Sequence, residues 1–122
     1  MYTSYQKLEV WQKAIQLCKE IYVITKKYPK TETYSLVDQM KRCSVSIASN
    51  IAEGDQRNGE GETIHFLYIA KGSAAELETQ LIISKELGFV DDKEYEYLQS
   101  KILEVLKMLS SLITYKKKNR SS

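Results

Sequence analysis

The chain has 122 residues, of which 43% are apolar and 28% charged, with a formal charge of +2. That composition excludes a disordered chain, and a single proline with five glycines excludes a turn-rich all-β fold. The length predicts one domain over residues 1–122, with room for a core of about four helices, and so small a net charge makes no case for nucleic acid by itself.

Helix 1 is predicted over about 7–27. Leu8, Trp11, Ile15, Cys18 and Tyr22 form one apolar stripe at 3-4 spacing. Val10, Ala14, Leu17, Ile21 and Ile24 form a second, about 100° around the axis. Pro29, behind two lysines, is the stop signal.

Helix 2 is predicted over about 35–55. Ser35 and Asp38 have capping-box spacing, and Val37, Met40, Ser44, Ile47 and Ile51 make the apolar side. Gly54 reads as a C-terminal signal, followed by a loop over Asp55 to Gly61.

Helix 3 is predicted over about 62–87. Phe66, Ala70, Ser73, Leu77, Leu81 and Ser84 line one face, widened by Leu67, Ala74 and Ile83. Gly72 lies mid-helix beside Ser73, Ala74 and Ala75, which reads as a close helix crossing. Gly88 ends the helix.

Helix 4 is predicted over about 92–117, opened by a capping box of Asp91 and Glu94. Tyr95, Leu98, Ile102, Val105, Leu109 and Leu112 keep heptad spacing, with Leu103, Leu106, Met108 and Ile113 off that seam. Short loops force neighbours antiparallel, so the expected fold is all-α, an up-down-up-down four-helix bundle. Helices 1 and 4 carry more apolar surface than one core needs, which predicts a homo-oligomer.

Helices 2 and 3 carry recognisable text. Ser46-Ile47-Ala48-Ser49-Asn50-Ile51-Ala52-Glu53-Gly54 resembles an S-I-x-x-N-I-A-E-G signature. Phe66-Leu67-Tyr68-Ile69-Ala70-Lys71-Gly72-Ser73, followed by Glu76-Leu77, resembles F-L-x-I-A-x-G-S-x-x-E-L. Gln39-Met40-Lys41-Arg42, Val10-Trp11 and Leu87-Gly88-Phe89 match lesser elements. Together they resemble the four-helix-bundle family encoded in intervening sequences of 23S ribosomal RNA genes, which is similar to the accessory variability determinant of diversity-generating retroelements. The resemblance implies a four-helix protomer, a ring-like homopentamer and a role with RNA or a nucleoprotein. It supplies no enzymatic activity and no cofactor. Two positions depart from the pattern: Ala48 stands where many relatives have proline, and Lys41 replaces an arginine, losing bidentate phosphate geometry.

Charge is unevenly distributed. Residues 1–59 carry nine basic and six acidic side chains, a balance of +3. Residues 60–115 carry five and ten, a balance of −5, and Lys116, Lys117, Lys118 and Arg120 then add +4. The expected phosphate-contacting residues are Lys13, Lys19, Lys26, Lys27, Lys41, Arg42, Arg57, Lys116, Lys117 and Lys118. The alternative for these residues is ordinary solubilising charge.

A polar stripe of helix 2, Ser35, Gln39, Arg42, Ser46, Asn50, Glu53 and Arg57, lies opposite its apolar side. It is a solvated face, an interhelical hydrogen-bond network or a partner surface. The resemblance makes Ser46, Asn50, Glu53, Gly54, Gly72, Ser73 and Glu76 structural motif residues, with Asn50 and Glu53 tying helix 2 to a neighbouring helix or subunit.

Glu62-x-x-His65 has di-iron spacing, but one histidine in the whole chain makes a metal centre unexpected. Cys18 and Cys43 sit in helical patterns, without metal or staple spacing, and fit a reducing cytoplasm. No catalytic constellation emerges. The opening residues have no secretion-signal pattern, and no run is long enough to span a membrane. Nine tyrosines, Tyr2 among them, fit half-buried bundle edges and interfaces, or stacking on bases. The functional expectation is a non-enzymatic oligomeric scaffold associated with RNA or a nucleoprotein. Its alternative is a protein-interaction scaffold without direct nucleic-acid binding.

Overall fold

The computed structural model describes residues 4–119. Tyr2 and Arg120, named above, lie outside the described residues. Four helices follow in order: α1 (Glu9–Thr25), α2 (Leu36–Asp55), α3 (Glu60–Glu86) and α4 (Asp92–Lys118). Short 3₁₀ turns occupy Ser4–Lys7 and Lys30–Glu32, and there is no strand among the described residues.

The helices stand in a square. α1 packs on α2 and α4, and α3 packs on the same two, while the diagonal pairs do not meet among the described residues. This is the predicted up-down-up-down bundle, which short connections impose. The square's interior is filled by Ala14, Ile21, Met40, Ile47, Ala70, Ala74, Leu77, Leu81, Ile102 and Leu109, all fully buried. Burial of such side chains supplies the main favourable term in folding.

α1 buries only one of its two stripes. Val10, Ala14, Leu17 and Ile21 face the core, whereas Leu8, Trp11 and Cys18 are half-buried and Ile15 and Tyr22 are exposed. In α4 the buried seam is Leu98, Ile102, Val105 and Leu109, closed by Ile113 rather than Leu112. A straight helix of 3.6 residues per turn drifts from a strict heptad, so the core position slips by one residue over that length. In α3, Ile83 is exposed and the expected widening fails there, while Gln80 is buried.

Local chemistry sets the helix ends. Asp91 and Glu94 form the predicted box: Glu94 N–H donates to Asp91 Oδ1 at 2.8 Å, and Asp91 N–H to Glu94 Oε1 at 2.9 Å. Asp91→Ala is expected to cost about 1 kcal/mol, measured as a lower urea midpoint. The box predicted at Ser35 does not form. The 3₁₀ turn before α2 brings Glu32 under Ser35, whose hydroxyl donates to Glu32 Oε1 at 2.9 Å.

Gly88, at φ +79°, closes α3 in a Schellman motif. Its N–H donates to Lys85 O and that of Phe89 to Ser84 O, both at 2.9 Å, and the Phe89 ring then packs on Tyr28.

Two further glycines differ from the reading of the sequence. Gly54 stands one residue before the end of α2 and lacks the positive φ of a C-terminal glycine. It marks a close approach instead. A Cβ there would lie 2.9 Å from Phe66 Cβ and 3.1 Å from Thr63 O. Thr63 seals this crossing by donating its hydroxyl to Gly54 O at 2.8 Å. At Gly72, the expected close crossing, a Cβ would meet nothing within 4 Å.

Candidate functional site: the polar groove between α2 and α3

Because α3 runs down the side of α2 that carries Cys43, Ser46 and Asn50, half of the predicted polar stripe is drawn into the helix interface. A groove of about 290 Å³ opens there, lined by Gln39, Arg42, Cys43, Ser46, Ser73, Glu76 and Gln80. Asn50 Nδ2 donates to Ser46 O at 2.8 Å and Ser46 Oγ at 2.9 Å. Ser46 Oγ and Ser73 Oγ share a hydrogen bond of 2.8 Å across the two helices. The bond that crosses from α2 to α3 is Ser46 to Ser73; Asn50 donates within α2, to Ser46, and Glu76 lies beside them.

The other motif residues behave differently. Glu53, exposed near the end of α2, pairs with Arg57 of the following loop at 2.9 Å. Arg57 in turn stacks over the Phe66 ring. Ser35 and Gln39 are exposed. Gly72 is exposed and outside the network.

Two groove residues, Cys43 and Gln80, belonged to no predicted site. Gln80 is 4% exposed, and its Nε2 donates to Cys43 Sγ at 3.4 Å. Its Oε1 is buried with no hydrogen-bond partner among the described residues. A glutamine three residues after Leu77 and next to Leu81, on the apolar side of helix 3, was the available signal.

Burial pushes the Cys43 thiol up to about 11, aided by the Glu76 carboxylate that accepts from it; donation from Gln80 acts the other way. The sign of the linkage follows. Below the ordinary value of 9.0 both folded and unfolded thiols are protonated, and the contribution is fully present. As pH rises toward about 11 the unfolded thiol ionises while the folded one does not, so stability falls. The urea midpoint of the native chain is expected to drop over that interval relative to Cys43→Ala, which removes the slope.

The ten expected phosphate contacts are dispersed around the bundle. Lys13 in α1 pairs with Glu104 at 3.7 Å, and Lys27, just past the end of α1, with Glu94, both partners in α4. Arg42 is held by Asp38 at 3.0 Å and Lys116 by Glu60 at 3.5 Å. Lys41 lies over the Tyr22 ring and Lys117 over Tyr68. Lys19, Lys26 and Lys118 are exposed.

His65 and Glu62 are both exposed, His65 edge-on to Phe66. Among the described residues no group of three or more His, Cys, Asp or Glu is placed to hold a metal ion. Among the described residues no helix is long and apolar enough to cross a membrane. Tyr28 is buried, Tyr5 and Tyr95 half-buried, and Tyr22, Tyr34, Tyr68, Tyr97 and Tyr115 exposed.

Fold and site together define an antiparallel four-helix bundle with a polar groove between α2 and α3. The chain belongs to the family of 23S rRNA-intervening sequence proteins, whose profile matches residues 6–111. It is similar to a crystallised protein of unknown function from the S23 ribosomal protein family of Bacteroides thetaiotaomicron VPI-5482. The two share 26% sequence identity with a TM-score of 0.80, over 85% of this chain and 97% of that one. No curated protein matches the chain.

Proposed function

We propose that this chain is a non-catalytic, self-assembling scaffold whose assembled copies, a pentameric ring, hold RNA or a nucleoprotein. The observation that carries the reading is a pair of apolar strips on opposite sides of the square. On the α1–α2 side, Ile15 and Tyr22 are exposed two turns apart, as is Val45, beside Ser44, whose hydroxyl reaches Cys18. On the α3–α4 side, Tyr68, Ile82 and Leu103 are exposed. Two unlike surfaces on opposite sides suit head-to-tail contacts, which close into rings when the rotation permits.

A ring would repeat Lys19, Lys26, Lys41, Lys117 and Lys118 in every copy, turning modest charge into a sizeable field. Among the described residues none of these five lies in an ion pair, which supports phosphate contact without base readout. The two free cysteines support a cytoplasmic location. The test is binding of a structured RNA across a salt series. Affinity is expected to fall steeply with salt, and Lys19→Glu with Lys26→Glu to weaken it across all RNA sequences alike. Salt-independent binding, or none at low salt, removes RNA from the account. The rival, a scaffold for protein partners alone, is favoured by the ion pairing of Lys13, Lys27, Arg42, Arg57 and Lys116, and predicts co-purification that survives nuclease.

A further inference from the structure

The α2–α3 groove combines features that a merely solvated surface lacks. Gln80 is buried beside it with an acceptor, Oε1, that nothing satisfies among the described residues. Leaving such an atom unpaired is costly, and native interiors avoid it unless the group has a use. The amide is also fixed in orientation. Its Nε2 donates to Cys43 Sγ at 3.4 Å, and Glu76 lines the same groove. That arrangement commits Oε1 to accepting.

The remaining chemistry has the same polarity. Glu76 is exposed and lies in no ion pair among the described residues, so its carboxylate has accepting capacity left. Both N–H groups of Asn50 are spent on Ser46. The one cation of the lining, Arg42, already gives its Nε to Asp38 at 3.0 Å. Beside Arg42 and the serine hydroxyls, the groove holds two acceptors with capacity to spare, Gln80 Oε1 and the Glu76 carboxylate. An anion such as a phosphate would face that carboxylate, and the one cation of the lining is already paired with Asp38. A nucleobase would find no aromatic ring in the lining to stack on.

We propose that this groove is a binding site for a guanidinium group, the arginine side chain of a partner polypeptide, which donates to Gln80 Oε1 and pairs with Glu76. A guanidinium carries five donors in a planar fork and sheds water more readily than an ammonium, which suits one buried acceptor beside a carboxylate. The groove's volume of about 290 Å³ holds such a head with part of its stem. The inference rests on the scaffold reading only in supposing that a partner exists. The Ser46–Ser73 bridge forms the far wall and holds α2 and α3 at their spacing.

The full chain, labelled with nitrogen-15, is titrated with acetyl-Gly-Arg-Gly-amide while the side-chain amide of Gln80 is followed by NMR. A saturable shift is expected. The citrulline counterpart, isosteric but uncharged, is expected to bind about tenfold more weakly, as is arginine peptide to Glu76→Gln. Gln80→Leu is expected to abolish binding while leaving Tm equal or higher, since it removes a buried unsatisfied acceptor. A purely structural Gln80 gives the reverse, a lowered Tm from the lost bond to Cys43, and that result overturns the proposal. So do the absence of a saturable shift, equal binding of the citrulline peptide, or preferential binding of inorganic phosphate. Molar mass of the free chain is unaffected by any of these outcomes, so failure here is separable from failure of the scaffold reading.

Discussion

Gly54→Val is expected to cost about 3 kcal/mol of folding stability, read as a lower urea midpoint at unchanged slope. Even the first added carbon would sit 2.9 Å from Phe66 Cβ and 3.1 Å from the Thr63 carbonyl. Neither atom is the loose end of a side chain: one is fixed to the α3 backbone and the other belongs to it. Accommodation requires α2 and α3 to part, and this is the pair with the most extensive packing in the bundle. The seal between Thr63 Oγ1 and Gly54 O would stretch with them. Gly72→Ala is the matched control. Open space surrounds that position, so only intrinsic helix preference acts, and a gain of about 1 kcal/mol is expected. A neutral Gly54→Val would mean that the α2–α3 spacing, and the groove built on it, is not fixed by this contact.

Charging the outer strip of α1 is the second large effect. Ile15→Lys combined with Tyr22→Lys is expected to weaken self-association by about 100-fold or more, since buried unpaired cations at an interface core cost several kcal/mol. Folding of the protomer should hardly change. Both side chains are already substantially exposed, and surface substitutions usually stay within about 0.5 kcal/mol. Sedimentation across a concentration series separates the two effects: weaker association with an unchanged urea midpoint supports an interface. Loss of the fold itself would instead assign those residues to the protomer core.

The sequence made the bundle legible because helical period and caps are local signals. The four stripes, the Asp91–Glu94 box and the Gly88 turn can each be read within a few residues. What escaped needed knowledge of the neighbouring helix. Gly54 and Gly72 look alike in sequence, and only the position of α3 distinguishes a crossing from open space. The Ser35 box failed because a 3₁₀ turn put Glu32 within reach first. Among the site residues, Ser46, Asn50, Ser73 and Glu76 were visible through the family text; the structure gathers Ser46, Ser73 and Glu76 in one groove, with Asn50 bonded to Ser46. Gln80 was masked by the apolar stripe around it. The basic residues were visible one by one, but their carboxylate partners lie across helices: Lys13 reaches Glu104 and Lys116 reaches Glu60. Counting lysines therefore overstated the free positive charge.

The scaffold account stands on copies of this chain covering each other's exposed apolar strips. Light scattering of the purified chain over a wide concentration range, without nucleic acid, tests that most directly. A molar mass that is a fixed multiple of the protomer down to low micromolar concentration is the expected result. A protomer mass held up to the highest soluble concentration would contradict it.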